Sequence, residues 1–121
     1  MTRKILLVDD DEMVLIAVAD LLRSHGYQVK TASSGDTALD LADHEPFDLC
    51  ILDAVMPGIT GTDLADRLRS LDQHKKMPII MLSQADTAAD MDPRFASEIK
   101  LTIIKPIRPE RLVAMVESVL L

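Results

Sequence analysis

The chain has 121 residues, enough for one compact domain with a real core, and its 48% hydrophobic content excludes a disordered polymer. A formal net charge of -7 excludes nonspecific binding of nucleic acid or anionic membrane by this domain itself. Aromatic residues make up only 2%, so the core must be aliphatic, with seven Met as filler.

The N-terminal apolar run is too short for a signal peptide and meets acid at once. No apolar stretch approaches the length of a membrane span, which gives the expectation of a soluble, cytoplasmic protein. Ile5-Leu6-Leu7-Val8 predicts a buried strand, and it ends in Asp9-Asp10-Asp11-Glu12. A helix follows, with Val14, Val18, Leu21, Leu22 and His25 at helical spacing and Gly26 as its stop. Asp10 or Asp11 suits its N-cap and Glu12 its positive end, but four acids exceed what a cap needs.

Tyr27 to Ala32 predicts a second strand, and Ser33-Ser34-Gly35-Asp36 then opens a helix with a capping-box pattern. That helix carries Ala38, Leu41 and Ala42 and ends near Pro46. Asp48-Leu49-Cys50-Ile51-Leu52 is almost wholly apolar, as in a strand covered on both faces of a parallel sheet. The single cysteine, Cys50, lies in this run and reads as a small buried hydrophobe. The run stops at Asp53, and Pro57-Gly58 and Gly61 force a loop. Thr60-Gly61-Thr62-Asp63 then caps a helix with Leu64, Leu68 and Leu71. Pro78 to Leu82 is a fourth strand followed by Ser83, and Leu101 to Ile104 a fifth followed by Lys105-Pro106. Between them Pro93 forbids one continuous helix, and a short one starting there, capped by Asp92, is expected. The last helix starts at Pro109, with Leu112, Met115, Val116, Val119 and Leu120 as its stripe. His25, His44 and His74 have no partners at ligand spacing and receive no role.

Five alternations of strand and helix demand a parallel sheet with helices on both faces. The residues at the carboxyl ends of its strands are Asp9, Asp10, Asp53, Ser83 and Lys105, and a parallel sheet brings these to one edge. Taken alone, Asp53 reads equally well as a turn-initiating residue; the other strand ends decide for function. Three carboxylates this close repel, and a hard divalent ion with oxygen ligands resolves the conflict. With one hydroxyl and one ammonium, these parts surround a transferring phosphoryl group. Ser83 has no neighbouring base in sequence, so a carboxylate is the nucleophile. Asp53, central and alone at its strand end, is the best candidate, and Asp9 and Asp10 read as metal holders.

Val8-Asp9-Asp10, Asp53-Ala54-Val55-Met56-Pro57-Gly58, Ser83 and Lys105-Pro106 resemble, in order and spacing and across the whole chain, the receiver domain of two-component response regulators. The resemblance implies a single receiver domain over residues 1–121. Its fold would be the α/β, doubly wound, CheY-like (flavodoxin-like) one, a five-stranded parallel sheet of order 2-1-3-4-5. Asp53 would be the phosphoacceptor. Asp10 would bind Mg²⁺ (or Mn²⁺) directly, Asp9 directly or through water, with Asp53 and the backbone carbonyl of Val55 as further ligands. Ser83 would hydrogen-bond the phosphoryl group, and Lys105, aimed by a cis peptide before Pro106, would pair with it. The implied partners are a sensor histidine kinase or phosphotransfer protein and a downstream protein or output domain. No direct nucleic-acid or membrane partner and no enzymatic activity beyond self-phosphorylation and self-dephosphorylation are implied.

The chain departs from the family in its relay. The usual aromatic three residues before the lysine is Thr102, the aromatic after Lys-Pro is Ile107, and the small residue after the hydroxyl is Gln84. The Gly-Ala pair before the fifth strand is missing. A degenerate receiver that binds partners without phosphorylation is therefore the alternative. A dinucleotide enzyme lacks its glycine-rich turn. An aspartyl phosphohydrolase lacks a second acid at Val55 and room for a cap.

Overall fold

The computed structural model describes residues 2–83, 101–104 and 108–120. The described strands of the main sheet are β1 (Lys4–Val8), β2 (Gln28–Ala32), β3 (Leu49–Asp53), β4 (Ile79–Ser83) and β5 (Leu101–Ile104). The described α-helices are α1 (Glu12–Ser24), α2 (Gly35–His44), α3 (Gly61–Ser70) and α4 (Pro109–Leu120). All neighbouring strands pair in parallel, in the order β2-β1-β3-β4-β5. This is the expected 2-1-3-4-5 order. The short helix expected at Pro93 lies outside the described residues.

Alternation along the strands sorts the core into two layers. Leu6, Val8, Cys50, Leu52, Ile79 and Met81 meet α2 and α3 through Ala38, Ala42, Leu64 and Leu68. Ile5, Leu7, Leu49, Ile51, Ile80 and Leu82 meet α1 and α4 through Leu15, Leu22, Leu112 and Val116. A fully buried Leu or Ile contributes about 1.5–3 kcal/mol, so these runs hold the sheet centre without aromatic residues. Burial pushes the Cys50 thiol far above its ordinary range, which leaves it the small hydrophobe that its run suggests.

Local details correct several expected boundaries. The first helix is capped by Asp11, whose carboxylate accepts from the Met13 N–H. Its end is a Schellman turn: Gly26, at φ 93°, donates to the Arg23 carbonyl and Tyr27 to that of Leu22. Tyr27 is thereby spent on the helix end, and β2 starts one residue later than predicted. His25 is the exposed C-cap rather than part of the apolar stripe, which Leu15 and Ala19 complete. Ser34, not Ser33, caps α2, and the residue three positions on is Thr37, which accepts the Ser34 hydroxyl in place of an acid reaching back. Leu71 falls beyond α3 as its C-cap and is half-buried, while Ala65 joins Leu64 and Leu68 inside.

Two elements were not anticipated. Val55–Met56 pairs antiparallel with Ile59–Thr60 in a miniature hairpin around Pro57-Gly58, with Gly58 at φ 87°. A Pro-Gly pair between extended residues is the sequence mark of such a turn. The other is a 3₁₀ turn at Asp72–His74 that buries His74 to 1% exposure. Its Nε2 accepts the Phe47 N–H at 3.0 Å, and the two rings stack with centroids 6.1 Å apart. This tie lies at the amino edge of the sheet, away from the strand ends singled out above.

Candidate functional site

At the carboxyl edge the ladder carries the acids to their places. The Asp9 N–H donates to the Ala32 carbonyl at 3.1 Å, one step beyond the last β1 residue. Asp9 is thus held by the sheet and is completely buried, and its Oδ1 accepts the Asp11 N–H at 2.9 Å. Asp11 is occupied as the α1 cap, and Asp10 between them is exposed. The start of α1 adds the positive end of its dipole beside this run. So the surplus of acid has a division of labour: Asp11 and Glu12 serve the helix, Asp9 and Asp10 serve something else.

Asp53 is the last residue of β3, opposite Leu82, and is 7% exposed. The following Ala54 N–H donates to the Leu82 carbonyl at 2.8 Å, extending the ladder past the acid. The Val55 N–H then turns back to the Asp53 Oδ1 at 3.3 Å. Asp9, Asp10 and Asp53, 44 positions apart in sequence at the extremes, each offer a carboxylate oxygen within 4.8 Å of the others. Val55, two residues past Asp53, is 61% exposed.

The donor set is chemically uniform. Three carboxylates, two of them buried, are hard oxygen ligands suited to a hard divalent ion. Ser83 closes β4, paired with Ile104 of β5, so its backbone stands at the same edge. Thr102 lies in β5 opposite Met81. Lys105, Pro106, Ile107, Gln84 and Pro93 lie outside the described residues, and with them the expected cis peptide. Sequence reasoning found the acids because strand ends in a parallel sheet converge. It missed Gly61, whose N–H donates to the Ala54 carbonyl at 2.8 Å and ties α3 to the loop after Asp53. The signal available was a glycine eight residues past an acid at a strand end, read only as a turn former.

No described helix is long and apolar enough to cross a membrane. The family model for the response regulator receiver domain matches residues 5–117. The nisin biosynthesis regulatory protein NisR of Lactococcus lactis is 36% identical over 98% of this chain and 50% of its own length. The chain spans about half the length of the curated relatives it matches, several of them transcriptional regulators. Among solved structures, the chemotaxis protein CheY4 of Vibrio cholerae is 31% identical with a TM-score of 0.86, over 98% of this chain and 99% of that one. The receiver domain of the sensor histidine kinase PA1611 of Pseudomonas aeruginosa, with a magnesium ion in its active-site cleft, has a TM-score of 0.87. It is 22% identical, over 99% of this chain and 98% of that one, and supports the fold. With the 2-1-3-4-5 sheet and an acidic cluster at its carboxyl edge, this chain belongs to the response regulator receiver domain family of two-component systems.

Proposed function

We propose that the chain is a single receiver unit over residues 1–121 in which Asp53 accepts a phosphoryl group from the phosphohistidine of a sensor kinase or phosphotransfer protein. The observation that carries this reading is the convergence of Asp9, Asp10 and Asp53 at one edge of the sheet. An Asp53 carboxylate oxygen forms the new bond to phosphorus as the phosphorus–nitrogen bond breaks. The electron pair stays on the departing imidazole nitrogen, which takes up a proton. The product is an acyl phosphate, hydrolysed slowly in place, so the domain acts as a switch and not as a turnover enzyme.

Asp10 would hold Mg²⁺ directly, with Asp53 and the Val55 carbonyl as further ligands; Mn²⁺ has the same ligand preference. Two oxygens bound to one Mg²⁺ at about 2.1 Å are at most about 4.2 Å apart. All three carboxylates lie within 4.8 Å of one another, and Asp9 would act directly or through a water. When bound, the ion supplies positive charge against the phosphoryl oxygens. Ser83 would donate its hydroxyl to the phosphoryl group and Lys105 would pair with it. Asp9, locked by the Asp11 N–H and buried, keeps its oxygens pre-aimed.

The downstream partner is a protein or an output domain, and the domain works in the cytoplasm without a nucleic-acid contact of its own. Relay proceeds without an aromatic at Thr102, either by movement of Ser83 and its loop or through another face of the domain. Unchanged amide shifts between Gln84 and Thr102 on phosphorylation would sink the Ser83-loop version of the relay. The acceptor itself is tested by intact mass after incubation with acetyl phosphate. One added phosphoryl group is expected in the wild type with Mg²⁺, and none in Asp53→Asn or without the metal. No addition from any small phosphodonor would favour the phosphorylation-independent binding module.

A further inference from the structure

Building on that reading, we propose that Gly61 is a positioning residue for the phosphoacceptor, acting through the peptide plane between Ala54 and Val55. That plane is gripped at both ends. The Gly61 N–H holds its carbonyl oxygen, that of Ala54, at 2.8 Å. Its N–H, that of Val55, reaches the Asp53 Oδ1 at 3.3 Å. Because a peptide is rigid and planar, a displacement at Gly61 is passed to the carboxylate rather than absorbed between them. The Val55 carbonyl, the proposed backbone ligand, is attached to the same plane through one Cα.

Gly61 has an ordinary φ, so a turn conformation does not require glycine here. Close approach does. A Cβ at this position would lie 2.7 Å from the Ala54 Cα, 2.7 Å from the Asp53 carbonyl oxygen and 2.8 Å from the Met81 Sδ. Two of these three neighbours are backbone and cannot swing aside. Restoring ordinary contact at 3.4 Å needs a shift of 3.4 − 2.7 = 0.7 Å, and the loop carrying Asp53 must supply it or α3 must retreat. The hairpin also abuts a second helix start. A Cβ at Gly35, the first residue of α2, would meet the Ile59 Cγ2 at 2.6 Å. Ile59 of the hairpin thus packs against the start of α2, as the Asp53–Ala54 backbone packs against the start of α3.

Misplacement of a reacting group by about 1 Å lowers rates by up to about a hundredfold. Gly61→Ala is thus expected to take phosphoryl groups from acetyl phosphate at least about tenfold more slowly per folded molecule. In the metal-free protein its Val55 amide resonance should move while those of α4 stay in place. Val116→Ala, a core change on the far face of the sheet, serves as the control for lost stability. It should keep its rate within about twofold of the wild type, since the loop is untouched. If Gly61→Ala does not fold, Gly35→Ala presses the hairpin that joins Ala54 to Gly61 through the Ile59 side chain. Its rate should fall, and Ile59→Ala added to it should restore the rate by removing the struck methyl. Equal rates in Gly61→Ala and Val116→Ala, or absence of rescue by Ile59→Ala, would overturn the proposal. Should the wild type itself take up no phosphoryl group, the acceptor reading has failed separately. An unmoved Val55 amide in Gly61→Ala then still decides against Gly61.

Discussion

Acidification should destabilise this domain through His74. The ring is 1% exposed, and its Nε2 accepts the Phe47 N–H, so Nε2 carries no proton and the neutral ring is protonated at Nδ1. That Nδ1 is buried with no hydrogen-bond partner among the described residues. Adding a second proton would set two N–H groups face to face at 3.0 Å and place a cation in an apolar pocket. Burial accordingly lowers the His74 pKa below its ordinary value. In the unfolded chain the imidazole titrates near 6.5. Between the lowered value and about 6.5 the unfolded chain binds a proton that the native state does not. The stabilisation is fully present above about pH 6.5 and is lost as pH falls, by at most about 1.4 kcal/mol per pH unit for one proton.

His44 has the opposite sign. Its hydrogen bond to the Asp40 carbonyl, and then the Asp40 carboxylate, raise its pKa, so its contribution would be lost as pH rises. Urea titrations between pH 7.5 and 5.5 in a His44→Gln background therefore isolate His74. Stability should fall by up to about 1.4 kcal/mol from pH 7.5 to 5.5, and the fall should vanish in His74→Leu. His74→Leu should start lower at pH 7.5 by about 1–3 kcal/mol, because the Phe47 N–H loses its buried acceptor. Equal slopes in the two proteins, or a gain on acidification with His74 present, would refute the reasoning.

Two further outcomes follow from the site and the core. Millimolar Mg²⁺ should raise the melting temperature by mass action, by about 2.7 kcal/mol of stability at a hundred times the dissociation constant. Asp10→Asn should lose that rise, and an equal rise in the variant would count against the site as drawn. Leu68→Ala, at a fully buried α3 position under the sheet, should cost about 2–5 kcal/mol in urea titration. A loss under about 1 kcal/mol would mean that the α3 layer is packed more loosely than its burial indicates.

The sheet and the acidic site were legible for one physical reason. A strand buried on both faces must be a continuous apolar run, so the residue that ends it stands out, as Asp9 and Asp53 do after Val8 and Leu52. Parallel pairing then forces such ends to one edge, whatever their separation in sequence. Errors at the helix ends had equally local causes. Tyr27 spends its N–H on a Schellman turn, which no periodicity reveals. His74 received no role from the sequence because its partner, the Phe47 backbone, carries no side-chain signal. Gly61 was hidden in the same way, since a close backbone approach leaves no mark in the sequence except the glycine. Lys105, Ile107 and Gln84 lie outside the described residues, and their proposed roles come from sequence and family.

The most direct test of the account is the identity of the residue that carries the phosphoryl group. Treating the acetyl phosphate product with borohydride reduces an acyl phosphate to an alcohol, and tandem mass spectrometry of the digest locates it. The account predicts one reduced residue, Asp53, with Asp9 and Asp10 intact. Reduction at Asp9 or Asp10, or a phosphoryl group that survives borohydride on Ser83, would contradict it.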